Sequence, residues 1–503
     1  MKKNRTYQER QVNTTTWFWF LAVIGLLTRL PLLGLSAAET TDGVLSLTYF
    51  SPDHVATPRF VIMPLYPSLL WLGQKIGWTG WVWGRALAAF AGLLFLIPLW
   101  KFSRRWLTVE MSAMVCLMAL FSPLLWQWSL KVMPDTLFLL FFWWGMERLA
   151  TVSIDRKPGA WVEACLYGAI ATATRAEGLL LLPWLLFLGS KMANPSAWKN
   201  QWGGWLAGLA LVGLAWAAPL TALYHRFLTI LSAYQEGAGM PINGTQVEYP
   251  LLNFIDHFYA YLSQPLYVFT PLVFWFAVLG LAKMVRREDP TGNAFKLVIL
   301  PIFGLVFLSR LIPTQYQDRH MLPFLPLLLV SAAFQLEHFF GSLDKGRNPI
   351  QLMFWKNGLL IFCLLWLAVF SVVVLIAQSD SFGDVKRSAE FLKTLPANAV
   401  IYSDEVPKTQ FWSGRKVRFI QLPFKPNAGD YIIYHSFYTA RLGVVDMELR
   451  ARHAAVQVHS EESMVVPLLT DIMSDPSLQN RIVSTAYRFQ PQFFVSSIYQ
   501  VNK

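Results

Sequence analysis

Long apolar runs alternate with short charged connections from residue 17 to residue 377. Crossing the hydrocarbon core of a bilayer takes a helix of about 20 mostly apolar residues. Eleven stretches meet or approach that length: 17–35, 81–100, 109–127, 134–151, 160–174, 176–189, 203–224, 266–284, 296–312, 319–338 and 357–377. The pair 160–174 and 176–189 is short, and reads either as two tilted half-depth helices or as one long span. Between the first two stretches, 36–80 is long, and its apolar segment Phe60–Ile76 is interrupted by Pro64 and Pro67. That pattern predicts interfacial helices lying along the membrane rather than a span.

The pattern changes after residue 377. Asp384–Leu395 has helical periodicity, with Ala389, Phe391 and Leu392 apolar among charges, and Pro396-Ala397-Asn398 ends it. Ala399–Tyr402, Val417–Ile420 and Tyr431–Tyr434 read as short strands. The predicted fold class is a polytopic α-helical membrane protein of about 11 transmembrane helices, 1–377, with a small C-terminal α/β extracytoplasmic domain, 378–503.

Composition agrees with that reading. The 503 residues are 55% hydrophobic and only 14% charged, against about 25% charged in an ordinary soluble domain. Intrinsic disorder is excluded, because it needs low hydrophobicity. Cys116, Cys165 and Cys363 all lie in apolar runs, which leaves no disulfide framework and no Cys-based zinc site. The net charge of +12 would ordinarily suggest a nucleic-acid partner. Its location argues against one: residues 1–377 hold 28 Lys and Arg against 18 Asp and Glu, so the excess sits between apolar runs, where it sets topology. With the N-terminus in the cytoplasm, the inner connections collect 19 basic residues and the outer ones six. An odd number of spans then places 378–503 outside. The first apolar run is followed by no small-residue cleavage site and reads as a retained helix.

Ionisable groups at or in a membrane are functional candidates. Four places stand out, all on the expected outer side. Glu39 and Asp42 follow the first span, three residues apart, so a helical start puts both on one face. Either serves as a general base where desolvation raises its pKa, or else as a cap and ordinary loop charge. Arg59 precedes Met63-Pro64-Leu65-Tyr66-Pro67 and binds a lipid phosphate or snorkels to head groups. Arg175 and Glu177 sit between the two short spans. Asp318, Arg319 and His320 precede the tenth span, with Arg310 inside the ninth, and the two arginines read as an anion clamp or as a surface cluster. The inner side carries no comparable group and no glycine-rich phosphate loop.

These residues resemble those of a known family. Arg29-Leu30-Pro31-Leu32-Leu33-Gly34-Leu35 followed by acids, Pro64-Leu65-Tyr66-Pro67, Pro134-Asp135, Thr174-Arg175-Ala176-Glu177-Gly178, and Arg319-His320-Met321-Leu322-Pro323 followed by Pro326 occur in family order over roughly 17–337. Together with the outer α/β tail, they make the chain similar to the polyprenyl-phosphate-sugar-dependent glycosyltransferases with the GT-C fold. The specific group is the protein O-mannosyltransferases and lipid A aminoarabinose transferases. The resemblance implies a hexosyl or pentosyl transfer from a polyprenyl-phosphate sugar to a hydroxyl of a protein, glycolipid or cell-wall glycan. An acid of the first outer loop activates the hydroxyl, inversion follows at the anomeric carbon, and Arg or Lys holds the departing phosphate.

Family members often show two adjacent acids there. In this chain two threonines separate Glu39 and Asp42. Counting from Arg29 favours Glu39; Gly43 and the distance to Pro64 favour Asp42, and the balance leans to Asp42. Arg59 falls where the resemblance implies a lysine or arginine on the donor phosphate, Arg175 and Arg319 are the next phosphate candidates, and Asp135 resembles a family position with no assigned role. The resemblance implies no firm cofactor beyond the polyprenyl-phosphate sugar donor and leaves a metal requirement open. Glu39, Asp42, Asp53 and His54 are candidate ligands for a divalent metal, but their spacing does not demand one. The alternative reading is a transporter or flippase for a lipid-linked or anionic solute, against which stands the absence of a half-to-half repeat. A third is a degenerate transferase serving as an assembly subunit. The short loops suggest a bacterial plasma (inner) membrane.

Overall fold

A computed structural model describes residues 20–34, 39–51, 62–155, 157–192, most of 210–224, 270–311, 318–343, 349–379, 383–403, 406–419, 426–437, 455–465 and 492–501. Arg59, Asp53, His54, the basic N-terminus and the whole outer segment 225–265 lie outside the described residues. So does the side chain of Arg310.

A helix lies in every one of the expected apolar stretches. Among the described residues, Gly80–Ser103, Asp135–Asp155, Pro290–Leu308 and Arg319–Ser342 are long and apolar enough to cross a membrane. Val109–Leu120 and Pro123–Ser129 make a fifth if taken as one span, bent by 54°. Phe20–Leu32, Ala176–Gly189, Val212–Ala222 and Asn357–Val373 are shorter apolar helices. Leu27, Leu186, Trp275, Val369 and Ile376 point outward and are exposed. Outward apolar side chains on helices whose backbone bonds are internally satisfied are what a hydrocarbon solvent selects.

The core is continuous through the helical region. Trp143 is fully buried and packs edge-on to Phe102, and its Nε1 donates to the carbonyl of Pro323 at 3.0 Å. That bond ties the helix Asp135–Asp155 to the turn that carries Arg319.

The short pair resolves into two helices. Pro158–Thr174 ends at Arg175, whose backbone is extended, and Ala176–Leu181 follows as a 3-10 turn leading into Leu182–Met192. Trp161, near the start of the first helix, donates to the carbonyl of Leu185 in the second at 2.8 Å. The chain therefore doubles back, and Arg175 is at the tip of the hairpin. Gly178 makes the reversal possible, because a Cβ there would lie 2.3 Å from the backbone nitrogen of Thr172.

In the segment between the helices Phe20–Leu32 and Gly80–Ser103, Leu65–Lys75 forms the expected apolar helix, with Trp71 and Leu72 exposed. The same segment contains the short helix Thr41–Thr48.

The C-terminal part carries a five-stranded mixed sheet. Its strands are β1 (Ile401–Ser403), β2 (Val417–Phe419), β3 (Tyr431–Phe437), β4 (Ala455–Val465) and β5 (Gln492–Val501), in the order β2-β1-β3-β5-β4. β1 is parallel to β2 and β3, whereas β5 is antiparallel to β3 and β4. The helix Gly383–Lys393 matches the expected one and buries Val385, Ala389 and Leu392. Helix Val406–Ser413 joins β1 to β2 and packs against Thr41–Thr48, with Phe411 resting on the main core.

Candidate functional site

Asp42 opens the helix Thr41–Thr48, and Thr40 caps it: the Thr40 hydroxyl accepts from the Gly43 N–H at 3.1 Å. Gly43 lets this helix sit against the chain before Asp135, since a Cβ would lie 2.6 Å from the carbonyl of Val132. Asp135 is the first residue of Asp135–Asp155. Both carboxylates thus lie at helix N-termini, where the partial positive charge of the backbone favours an anion. Arg175 comes from the hairpin tip, and Arg319 from the 3-10 turn Asp318–Phe324.

These four elements bring together residues up to 277 positions apart into a chain of alternating charges. Arg319 Nη1 lies 2.6 Å from Asp42 Oδ2 and 4.0 Å from Asp135 Oδ2. Asp135 Oδ1 pairs with Arg175, whose other Nη holds Glu177 Oε1 at 2.9 Å. Burial disfavours the charge on Arg175, but the Asp135 and Glu177 carboxylates outweigh it and hold the guanidinium above its ordinary range. Trp128 underlies the cluster: the Arg319 guanidinium is 5.7 Å from its ring and Lys131 Nζ is 4.9 Å from it. Asp42 is 21% exposed and Arg319 11%, so both keep part of their surface accessible.

Glu39 has a different setting. Its side chain is 0% exposed, and one oxygen pairs with Arg85 while the other accepts from the Val132 N–H at 3.0 Å. Burial pushes its carboxyl up from the ordinary range, and Arg85 and the Val132 N–H pull against that. Arg85 also donates to the carbonyl of Leu33 at 2.7 Å and lies over the Trp81 ring. The two acids three residues apart therefore do different things. Glu39 is locked into the protein, and Asp42 faces the open cluster.

Of the expected site residues, Asp42, Arg175 and Arg319 come together, Glu39 stands one layer behind, and Arg59 lies outside the described residues. Arg85 was missed, because it sits inside an apolar run and has no partner close in sequence. Asp135 was noted without a role, and Trp128 and Lys131 were not singled out as site residues. Arg29 is buried too, bonded to the carbonyl of Leu120 at 3.1 Å and the Ser129 hydroxyl at 3.2 Å. It braces the bent helix pair rather than the cluster. Among the described residues no group of three or more His, Cys, Asp or Glu is placed to hold a metal. Asp42 and Asp135 are each engaged by a guanidinium, so together they do not make an open cation site.

No family model matches the sequence, and no curated protein does. Solved structures do. ArnT from Cupriavidus metallidurans in the apo state superposes with a TM-score of 0.56 at 13% identity, over 96% of this chain and 98% of that one. The same protein bound to undecaprenyl phosphate gives 0.55 at 12% identity over the same shares. The oligosaccharyltransferase of Archaeoglobus fulgidus in its apo form gives 0.50 at 11% identity, over 80% of this chain and 64% of that one.

The chain has the GT-C fold.

The ArnT likeness spans nearly the whole chain, so it takes in the C-terminal sheet as well as the helices. In the GT-C fold of this chain, the charged cluster sits at one end of the bundle, at the start of Thr41–Thr48, the helix on which Val406–Ser413 packs. The other end carries a separate group, Arg105 with Glu147 and Arg148 with Glu163. Asp135 and Glu147 share one helix and are about 18 Å apart along it at 1.5 Å per residue.

Proposed function

We propose that the protein is a membrane glycosyltransferase that moves a monosaccharide from a polyprenyl-phosphate donor to a hydroxyl acceptor on the outer face. The observation that carries this is the contact between Asp42 and Arg319 at 2.6 Å, both partly open, in a chain with the GT-C fold. A carboxylate that accepts a proton and a guanidinium that holds a phosphate are the two groups such a transfer needs. The Cupriavidus ArnT, which shares the fold, is known with undecaprenyl phosphate bound, and that supports a lipid phosphate as part of the donor.

Asp42 is the base. Its carboxylate takes the proton of the acceptor hydroxyl, the oxygen attacks the anomeric carbon, and the bond to the phosphate oxygen breaks with inversion. General-base assistance of this kind contributes about 10²–10⁴-fold. The electron pair stays on the polyprenyl phosphate, whose growing charge Arg319 and Arg175 stabilise. Arg59 is assigned to the same phosphate on the resemblance alone. Glu39 is a structural acid: with its carboxylate filled by Arg85 and the Val132 N–H, it fixes the entry to the helix bearing Asp42. No step requires a metal.

The eleven apolar stretches are proposed as eleven crossings, with the N-terminus in the cytoplasm and 378–503 outside, in a bacterial inner membrane. The acceptor is proposed as a protein, glycolipid or glycan hydroxyl, and the segment 225–265 with the C-terminal domain is assigned to reading it on the sequence alone.

The test is release of free polyprenyl phosphate from a panel of polyprenyl-phosphate hexoses and pentoses, with crude envelope extract as acceptor. Release that depends on the extract is expected. Movement of solute across vesicles with no bond broken would replace this reading with transport.

A further inference from the structure

Arg319 stands between two carboxylates. It touches Asp42 at 2.6 Å, and Asp135 lies at 4.0 Å on its other side. The Arg175 guanidinium already holds Asp135, and Glu177 in turn engages Arg175. Asp42 is the most open carboxylate of the three, and it is the one in direct contact with Arg319. A phosphate entering the cluster therefore meets a guanidinium whose nearest carboxylate is the base itself. The Trp128 ring, 5.7 Å from the guanidinium, is a seat that does not depend on which anion Arg319 holds.

We propose that Arg319 exchanges partners during the transfer, passing from Asp42 to the departing phosphate as Asp42 takes up the acceptor proton. This rests on the transferase reading above. The acceptor O–H bond breaks and its proton goes to an Asp42 oxygen, which neutralises the carboxylate and removes its hold on Arg319. The acceptor oxygen forms the bond to the anomeric carbon. The bond from that carbon to the phosphate oxygen breaks, its electron pair remains on the phosphate, and the diester monoanion becomes a monoester of higher charge. Charge thus disappears at Asp42 while it grows on the phosphate, and one guanidinium serves both.

Two consequences follow. Before donor binds, the Asp42–Arg319 pair keeps the base engaged and its negative charge offset. During donor binding, Asp42 competes with the phosphate for Arg319, and this competition weakens lipid binding relative to a protein without the carboxylate. A residue that merely held Arg319 in place would have the opposite signature, because its removal would loosen the phosphate site.

The experiment measures equilibrium binding of polyprenyl monophosphate to the full-length protein in lipid nanodiscs, for wild type, Asp42→Asn, Arg319→Ala and the double variant. Asp42→Asn is expected to bind about tenfold tighter than wild type, the scale of one charge-assisted contact released to the ligand. Arg319→Ala is expected to bind more weakly than wild type, and the double variant to match Arg319→Ala, so that the gain vanishes without the guanidinium. Asp42→Ser is run alongside, so that a folding defect peculiar to the amide does not decide the result. Binding by Asp42→Asn and Asp42→Ser that is equal to or weaker than wild type overturns the exchange. If wild type still releases polyprenyl phosphate from donor, only the exchange fails. If wild type neither binds the lipid nor releases it, the transferase reading fails and the exchange with it.

Discussion

Asp42 and Glu39 show how much a residue's setting outweighs its spacing. Both are acids of the same loop, yet one is 21% exposed beside Arg319 and the other is fully buried against Arg85. Removing one member of a buried ion pair leaves an uncompensated charge and costs about 3–5 kcal/mol. Arg85→Ala is therefore expected to lower the melting temperature sharply, whereas Glu39→Leu with Arg85→Met recovers most of the loss. A thermal scan of the two in detergent checks this, and equal melting of Arg85→Ala and wild type would contradict it. Arg175 makes a second residue-scale case. It holds Asp135 and Glu177 at once, and lysine cannot reproduce that planar fork. Arg175→Lys is expected to weaken donor use about tenfold while the protein stays folded, read as a change in kcat/KM for the lipid donor.

The acids and arginines of the cluster were legible in the sequence because charge is rare in such an apolar chain. What was not legible was their pairing. Arg175 has Glu177 two residues away, but its other partner, Asp135, is 40 positions off. Arg85 lay hidden in an apolar run, since one cation among twenty apolar residues leaves the hydropathy pattern intact.

At the scale of elements, close backbone approach sets the geometry. The helix Thr41–Thr48 meets the chain at Val132 across Gly43, and the hairpin tip closes across Gly178. Gly43→Ala puts a methyl group 2.6 Å from the Val132 carbonyl oxygen, so the helix or the chain leading to Asp135 must shift. Overpacking of this kind costs about 1–3 kcal/mol, and here it also separates Asp42 from Arg319. Turnover by Gly43→Ala is expected to fall at least tenfold with a smaller loss of stability, whereas Gly34→Ala, where a Cβ meets nothing within 4 Å, is the control expected to leave both unchanged. The long apolar helices were readable from hydropathy, and the helix Gly383–Lys393 and the first three strands from periodicity. β4 and β5 were not. β4 holds the polar run His459-Ser460-Glu461-Glu462-Ser463, and the pairing of β4 with β5 determines both strands more than their own pattern does.

At the scale of the whole molecule, the C-terminal part docks on the helical bundle beside the helix that carries Asp42. The helix Val406–Ser413 packs on the helix that carries Asp42 and forms a wall beside that helix. Phe411→Asp, placed where that wall touches the main core, is expected to reduce transfer while leaving lipid-phosphate binding within about twofold, as measured by turnover and binding on one preparation. The proposed topology is testable with the same chain. Cys116, Cys165 and Cys363 are buried, so single cysteines at exposed positions report cleanly. An impermeant thiol reagent applied outside cells is expected to label Lys393→Cys and not Lys157→Cys. The reverse result would invert the molecule and move the cluster to the cytoplasmic face.

The most direct measurement is the rate of polyprenyl phosphate release in a single turnover, wild type against Asp42→Asn, with folding checked on the same samples. A fall of about 10²–10⁴-fold, with lipid-phosphate binding no weaker than in wild type, is the expected result. Undiminished release by folded Asp42→Asn would contradict it and take the base away from the Asp42–Arg319 pair.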